Sequence, residues 1–467
     1  MTIEQRDIAE LNTPVLARSS LIPAFRFVAA LLLCASAASG VCAQPGPGDP
    51  ETANLVARGA YLARAADCAA CHRDPQNEAS PFAGGLAIHS PLGDIVASNI
   101  TPSRRAGIGA YTEADFRRAL RDGIRRDGQP LYPAMPYTAY RKITDDDIHA
   151  LYLYFTRAVA ANDRQAAPTK LPFPFSIRAS MKVWNALFLD DTPPAPLSAE
   201  LVRGRYLVDA LGHCSACHSP RGALMEEDQR AYLSGGSVGG WYAPNITSDR
   251  DSGIGRWTRD ELIEYLRTGH ARGKAQAAGP MAEVVEYSLG YLSTADLNAI
   301  ARYLEQVPPV AGPPNKIAAA YTPAAGNQTG AQLFSSACAA CHRTGGQGAY
   351  DGYFPSLIHN TAVDAARPDN LVMSILDGVS RREGTTRIWM PAFRDTLSDG
   401  EVAELANYVS LTFGGRAAGL SPDRVATLRS GGDKPAIAWM PTALYASGGV
   451  LLIAVLVFWR FAARRRH

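Results

Sequence analysis

The sequence has little excess charge and few cysteines without a partner nearby. Its 467 residues carry a formal net charge of +2, which gives no support to nucleic-acid binding. Eight cysteines are present, and six of them form three Cys-x-x-Cys pairs. The other two, Cys34 and Cys42, lie in an apolar N-terminal run. Without that run, the chain has no cysteine left for a structural disulfide.

The N-terminal run is typical of a secretory signal. Residues 27–38 are apolar, follow Arg18 and Arg26, and lead to small residues around Ala43. We therefore expect a signal peptide at 1–43 and a mature chain in an oxidising compartment. Lipid attachment at Cys42 is the alternative, although Val41 is unfavourable directly before a lipidated cysteine.

A second uncharged run closes the sequence. As a helix, residues 442–459 would be about 27 Å long, enough to cross the apolar core of a bilayer. Trp439 and Trp459 stand at its edges, and an arginine cluster follows it. These features predict a single-pass anchor at 441–460 with a cytoplasmic C-terminus, and a chain on the periplasmic face of the bacterial inner membrane. A buried core helix is the alternative.

The chain also contains an internal repeat. The first two Cys-x-x-Cys-His motifs lie 146 residues apart, and Asn-Ile-Thr, Gly-Ile-Gly and a methionine recur at the same offset. A third, more divergent copy surrounds the third motif. Capping-box signatures, which mark helix N-termini, open apolar runs in all three copies. They are Thr144-x-x-Asp147, Ser293-x-x-Asp296 and Ser398-x-x-Glu401, with Thr112-x-x-Asp115 and Thr258-x-x-Glu261 inside the first two copies.

The three motifs predict covalent attachment of three c-type haems. In each motif, two thiols would add to the haem vinyl groups, and the adjacent histidine would be the proximal iron ligand. A zinc site would need a second pair nearby, and a thioredoxin-like pair would need a βαβ context; the sequence provides neither. The predicted residues are Cys68, Cys71 and His72; Cys214, Cys217 and His218; and Cys338, Cys341 and His342.

Methionines are the candidates for the opposite face of each iron. Only eight are present, yet Met135 and Met281 each follow the histidine of their copy by 63 residues, and each adjoins a proline. Met390 precedes the last capping box at nearly the same distance as Met135 precedes its own. We predict these three as sixth ligands and place Met373 in a helix core. Closed His/Met sites favour electron transfer, so no catalytic residue is predicted.

Together these signals predict an all-α fold of three tandem class I cytochrome c domains followed by one C-terminal transmembrane helix. Proline-rich stretches between the domains are expected to be extended linkers. The predicted boundaries are a signal at 1–43, domain 1 at 44–165, a linker at 166–196, domain 2 at 197–306, a linker at 307–326, domain 3 at 327–415, a tail at 416–440 and the anchor at 441–460.

Five further stretches have a characteristic pattern: Arg58-Gly59-x-Tyr61-Leu62, Ala83-Gly84-Gly85, Asn99-Ile100-Thr101-Pro102, Met135-Pro136-Tyr137 and Arg203-Gly204-x-Tyr206-Leu207. With them, the chain resembles the three-haem cytochrome c subunits of membrane-bound bacterial dehydrogenases. That group serves quinoprotein (PQQ-dependent) alcohol dehydrogenase, flavin-dependent gluconate, fructose and sorbitol dehydrogenases, and molybdenum-containing aldehyde or nicotinate dehydrogenases. The resemblance also implies that the carbonyl of Pro355 accepts a hydrogen bond from His342. The first two copies show no clear equivalent of this proline.

The resemblance implies a relay of electrons. A catalytic dehydrogenase subunit would oxidise a substrate, and this chain would pass the electrons through its haems to ubiquinone in the membrane or to a terminal oxidase. Three alternatives stay open: a cytochrome c subunit of a respiratory oxidase, a free-standing membrane-anchored carrier, and a multihaem peroxidase with one open iron position.

Overall fold

The fold is helical with four small β-hairpins. The computed structural model describes residues 50–192, 195–312, 328–350 and 353–442. The α-helices are Pro50–Ala65, Cys68–His72, Glu113–Asp122, Tyr137–Tyr140, Asp145–Arg157, Ser180–Phe188, Ala199–Tyr206, Ser215–His218, Arg259–Thr268, Gly279–Tyr287, Thr294–Gln306, Gln328–Leu333, Ala339–His342, Asp369–Asp377, Asp399–Gly414 and Pro422–Arg429. Short π-helices cover Leu207–Leu211 and Phe334–Cys338, and 3-10 turns cover Gln229–Ala231, Leu289–Tyr291 and Ala436–Trp439. The antiparallel strand pairs are Ala87–Ser90 with Gly93–Val96, Gly236–Val238 with Trp241–Ala243, His270–Ala271 with Ala275–Gln276, and Val379–Glu383 with Thr386–Met390.

The predicted fold class is wrong in two respects. The hairpins add β-structure to every repeat, and their strands of two to five residues are too short to give a periodic signal in the sequence. Within the described residues, no helix is both long and apolar enough to cross a membrane, so the transmembrane helix of the predicted fold is not supported. From residue 443 onward the predicted anchor lies outside the described residues, as does the whole predicted signal at 1–43.

Each repeat begins and ends with a helix, which we call its opening and its closing helix. In the first two repeats these helices cross at a glycine. A Cβ on Gly59 would lie 2.1 Å from the carbonyl oxygen of Ala150, and one on Gly204 would lie 2.1 Å from that of Ala299. Only glycine permits so close an approach. The opening helices are Pro50–Ala65, Ala199–Tyr206 and Gln328–Leu333, and the closing helices are Asp145–Arg157, Thr294–Gln306 and Asp399–Gly414.

The first two repeats share one hydrophobic core. Leu62 and Leu151 of the first repeat belong to the same contiguous cluster of buried side chains as Leu211 and Leu297 of the second. The third repeat has a separate cluster, in which Leu405 of its closing helix is buried. Because a shared core cannot be divided without exposing apolar surface, the first two repeats form one structural unit and the third another.

Three of the five predicted capping boxes are complete. In each of them the hydroxyl of the first residue accepts a hydrogen bond from the backbone N–H three residues later, and the acidic side chain accepts one in return. At the closing helices of the first two repeats, only the hydroxyl half is present, from Thr144 and Ser293. The complete boxes are Thr112–Asp115, Thr258–Glu261 and Ser398–Glu401.

A tyrosine from the other repeat supplies the missing half. The Tyr206 hydroxyl accepts a hydrogen bond from the N–H of Thr144 at 3.3 Å and donates one to Asp147 at 2.6 Å. Reciprocally, the Tyr61 hydroxyl accepts from the N–H of Ser293 at 3.1 Å and donates to Asp296 at 2.6 Å. We call the pairs Tyr61–Asp296 and Tyr206–Asp147 the tyrosine bridges.

In each bridge the aspartate also accepts a hydrogen bond from an arginine of its own repeat. The Nε atom of Arg58 donates to Asp147 at 2.7 Å, and Arg203 donates to Asp296 through two nitrogens, at 2.8 Å and 2.7 Å. Burial disfavours the charge on Asp296, but the hydrogen bonds from Arg203 and Tyr61 outweigh it and lower the pKa of this carboxyl. Burial, with the bond to Asp147, raises the pKa of Tyr206 to about 12, so its hydroxyl stays a donor.

The third repeat docks on the second. Asn370 donates to the carbonyl of Tyr242 at 2.8 Å and accepts from its N–H at 2.9 Å. The guanidinium of Arg381, which is 1% exposed, donates to Gln276 at 3.1 Å and to the carbonyl of Ala277 at 3.2 Å. The second repeat therefore contacts both of the others. The third repeat also reaches the first, through an ion pair between Arg382 and Glu78 at 3.7 Å.

The predicted linker at 166–196 is not extended throughout, because it contains the helix Ser180–Phe188. Trp184 of this helix is buried and donates to the carbonyl of Leu224 at 2.9 Å, and Asn185 accepts from the hydroxyl of Tyr137 at 2.8 Å. The linker thus fastens the first repeat to the second. The predicted tail is also folded: Pro422–Arg429 packs on the third core. Most of the other predicted linker, from 313, lies outside the described residues.

Candidate functional site

The histidine of each Cys-x-x-Cys-His motif ends a short helix that follows the opening helix of its repeat. In the first two repeats a residue with left-handed backbone, Asp67 (φ 53°) or His213 (φ 39°), stands directly before the first cysteine. This conformation ends the preceding helix and redirects the chain. In the third repeat a π-helix runs into the motif instead, and the left-handed residue is Arg343, directly after the histidine. The three motif helices are Cys68–His72, Ser215–His218 and Ala339–His342.

The three motif histidines are oriented in the same way. The Nδ1 atom of each lies within hydrogen-bond distance of a backbone carbonyl: 2.6 Å between His72 and Ser98, 2.7 Å between His218 and Pro244, and 3.1 Å between His342 and Pro355. An Nδ1–H that donates to a carbonyl leaves Nε2 as the free, metal-binding nitrogen. The expected contact between His342 and Pro355 is confirmed.

Ser98 and Pro244 are the equivalents of Pro355 that the sequence did not reveal. Both directly precede the repeated Asn-Ile-Thr. The Asn99 side chain accepts from the N–H of Thr101 at 2.8 Å and donates to the carbonyl of Asn162 at 2.7 Å. In the second repeat, Asn245 accepts from Thr247 at 2.9 Å and donates to Val310 at 2.8 Å. The repeated asparagine therefore fixes the turn that aims the acceptor carbonyl at the imidazole.

A glycine holds the backbone of each motif histidine. The N–H of Gly84 donates to the carbonyl of His72 at 2.6 Å, that of Gly235 to His218 at 2.7 Å, and that of Gly348 to His342 at 3.1 Å. All three glycines have left-handed backbone, with φ of 70°, 105° and 67°. A side chain there would be strained, which explains why the same residue type stands at each site.

Burial keeps the site side chains neutral. It lowers the pKa of His72, His218 and His342, so each imidazole is the uncharged form that a metal ion needs. Burial also raises the pKa of the Cys68 and Cys214 thiols to about 12. Within the ranges described, no group of three or more His, Cys, Asp or Glu side chains is placed to hold a metal ion.

The predicted methionines occupy different local structures. Met135 lies in a turn before Tyr137–Tyr140, and Met281 lies in the first turn of Gly279–Tyr287; both are half-buried against the core of the first two repeats. Cys68 and Cys214 border the same core. Met390 ends a hairpin strand of the third repeat and is half-buried. Met373 is 3% exposed and belongs to the third core, as predicted.

The donor set fits a covalently bound haem. Two thiols separated by two residues and an adjacent neutral imidazole held through Nδ1 are the groups that bind a c-type haem. Repeated helical units that carry such motifs define the chain as a c-type cytochrome.

Comparison with known proteins identifies the family. Residues 325–409 match the family model "Cytochrome C oxidase, cbb3-type, subunit III". The chain is 42% identical over 471 residues to the fructose dehydrogenase cytochrome subunit of Gluconobacter japonicus, covering 92% of this chain and 96% of that one. It is 39% identical over 402 residues to the gluconate 2-dehydrogenase cytochrome c subunit of Pantoea cypripedii, covering 80% and 89%. It is 36% identical over 399 residues to the cytochrome c subunit of the quinone alcohol dehydrogenase of Gluconobacter oxydans, covering 81% and 83%.

The chain therefore belongs to the family of cytochrome c subunits of dehydrogenases.

Proposed function

We propose that this chain is the electron-transfer subunit of a dehydrogenase complex. It carries electrons from a catalytic PQQ-, flavin- or molybdenum-dependent subunit, through three covalently bound haems, to ubiquinone or a terminal oxidase. Its place of action is the periplasmic face of the bacterial inner membrane. Each haem would supply a one-electron iron couple. The chain's own residues hold the haem, orient the imidazole through Nδ1 and exclude water.

The observation that carries this proposal is the threefold repetition of one arrangement. His72, His218 and His342 each sit on a motif helix and each aim Nδ1 at a backbone carbonyl. Three equivalent sites in repeats that contact one another suit a relay better than a single reaction centre. The family match at residues 325–409 to an oxidase subunit covers the third repeat alone, whereas the dehydrogenase relatives match most of the chain.

The proposal predicts that a dehydrogenase substrate reduces this chain. The holoprotein is purified in mild detergent with whatever subunit accompanies it, and candidate sugars, alcohols and aldehydes are added without oxygen. We expect one substrate to develop the reduced α-band to the same amplitude as dithionite does, because all three sites are in series. If the chain purifies as a subunit of an oxidase without any catalytic dehydrogenase subunit, or if no catalytic subunit reduces haems that dithionite reduces fully, the proposal fails.

A second prediction concerns the axial methionines. Met135→Ala, Met281→Ala and Met390→Ala should each open one iron position, so the dithionite-reduced protein should bind one carbon monoxide per chain, compared with none in the unaltered protein. Soret difference spectroscopy measures the binding. Met373→Ala is the matched control, since it removes a buried core methionine and should lower stability by about 2–5 kcal/mol without creating a binding site. Carbon monoxide binding by the unaltered protein would favour a peroxidase instead.

A further inference from the structure

The tyrosine bridges have no counterpart in the sequence of the third repeat. The opening helices of the first two repeats share Arg-Gly-x-Tyr-Leu, whereas the third has Thr329 and Gln332 at the arginine and tyrosine positions, on either side of Gly330. Its closing helix has a complete capping box instead, in which the N–H of Ser398 donates to Glu401 at 2.8 Å. The closing helix of the third repeat is thus capped by residues of that repeat alone. Each closing helix of the first two repeats is also capped by a tyrosine of the other repeat.

Each bridge contains strong hydrogen bonds. The phenol hydroxyl donates to a carboxylate and accepts from the backbone N–H at the helix N-terminus, so its removal leaves both groups short of a partner. The side chain of Asp147 is only 2% exposed, so water cannot readily replace Tyr206 there. The two bridges therefore fix how the first two repeats are placed against each other.

The same interface brings the two candidate haem sites together. The helix Gly279–Tyr287, which carries Met281, contacts the motif helix Cys68–His72 of the first repeat. At this contact Arg73 donates to Glu283 at 2.8 Å. On the other side, Tyr137–Tyr140, which follows Met135, contacts the π-helix that leads to Cys214. Each methionine segment therefore lies against the motif segment of the other repeat.

We propose that the first and second repeats form one two-haem unit in which Tyr61 and Tyr206 set the separation and the angle between the two haems. Both are positioning residues: they act on the closing helices through Asp296 and Asp147 and touch no predicted iron ligand. This inference rests on the proposed function for its haem sites. It adds that the relay consists of two haems held rigidly in the first two repeats and one haem in a third repeat with its own core.

The test is Soret circular dichroism of the dithionite-reduced full-length holoprotein. Two haems held near each other at a fixed angle give a bisignate couplet, and its amplitude reports their separation and orientation. Tyr61→Phe combined with Tyr206→Phe keeps both rings but removes four hydrogen bonds, so the couplet amplitude should fall by about half or more while three haems remain attached. A couplet unchanged from that of the unaltered protein would overturn the proposal.

The controls separate this effect from a general loss of structure. Tyr152→Phe removes a hydroxyl that donates to the carbonyl of Tyr111 at 3.0 Å within the first repeat, and it should leave the couplet intact. Cys338→Ala with Cys341→Ala removes the third haem site and should also leave the couplet unchanged. That result would assign the couplet to the haems of the first two repeats. If the double phenylalanine variant does not mature, the single variants decide: each should reduce the couplet, and full amplitude in both would refute the idea. Because dithionite is the reductant, failure here is distinct from failure of the dehydrogenase to reduce the chain.

Discussion

Replacing Cys338 and Cys341 with alanine should lower the covalently attached haem by one group per chain, from the proposed three to two. The third repeat has its own hydrophobic core and completes its own capping box, so the loss of its haem leaves the first two repeats intact. Haem absorbance in alkaline pyridine, divided by the chain concentration, measures the number of groups. Mass spectrometry of the haem peptides shows which motifs keep them.

The matched change in the first repeat should remove more than one haem per chain. Cys68→Ala with Cys71→Ala removes the haem from a repeat whose core continues into the second. A void at the centre of a shared core destabilises both halves, so covalent haem should fall to about one group per chain, at the third motif. Retention of two groups in this variant would contradict the shared core. Loss of all three in the Cys338/Cys341 variant would contradict the independence of the third repeat.

Gly59→Ala and Gly204→Ala should each prevent accumulation of the folded holoprotein. The added methyl would lie 2.1 Å from a carbonyl oxygen of the closing helix, where a Cβ atom normally keeps at least 3 Å from other atoms. The two helices would have to separate, at a cost of about 3 kcal/mol or more for each substitution. That is a large part of a total stability of about 5–15 kcal/mol. Holoprotein yield and the denaturant midpoint of the haem absorbance measure the effect.

Gly400→Ala is the matched control for these two glycines. Gly400 lies in the closing helix of the third repeat, where the nearest atom to an added Cβ is the Ser398 hydroxyl at 4.0 Å. With space available, alanine should stabilise the helix by about 0.5–1 kcal/mol. A Gly59→Ala protein as stable as Gly400→Ala would show that the helices do not cross as described.

The local signals in the sequence were reliable where a side chain carries them. All five predicted helix N-terminal residues cap a helix, because a hydroxyl three residues before an acidic residue stabilises an N-terminus in any context. The contact of Pro355 with His342 was implied by the family resemblance and is present. The carbonyls of Ser98 and Pro244 could not be found in the same way, since every residue has a carbonyl. The one sequence signal for these two carbonyls was the repeated Asn-Ile-Thr that follows them.

Features that depend on distant residues were missed. Arg-Gly-x-Tyr was visible in both copies, but Tyr61 binds Asp296, which is 235 residues away along the chain. No periodicity encodes such a contact. The helix Ser180–Phe188 was hidden because prolines flank it on both sides, although none lies inside it. The transmembrane prediction rested on an apolar run at 442–459, and no membrane-crossing helix occurs among the residues described.

The separation between Tyr61 and Asp296 also constrains the order in which the protein folds. A chain that emerges N-terminus first presents its first motif long before the helix Thr294–Gln306 exists. Until that helix arrives, the first repeat has neither its bridge nor the second half of its core, and so long a loop closes slowly. We therefore expect the first two motifs to stay accessible until the helix Thr294–Gln306 has formed and the interface has closed. The third repeat has its own core, so its motif can be enclosed as soon as that repeat folds.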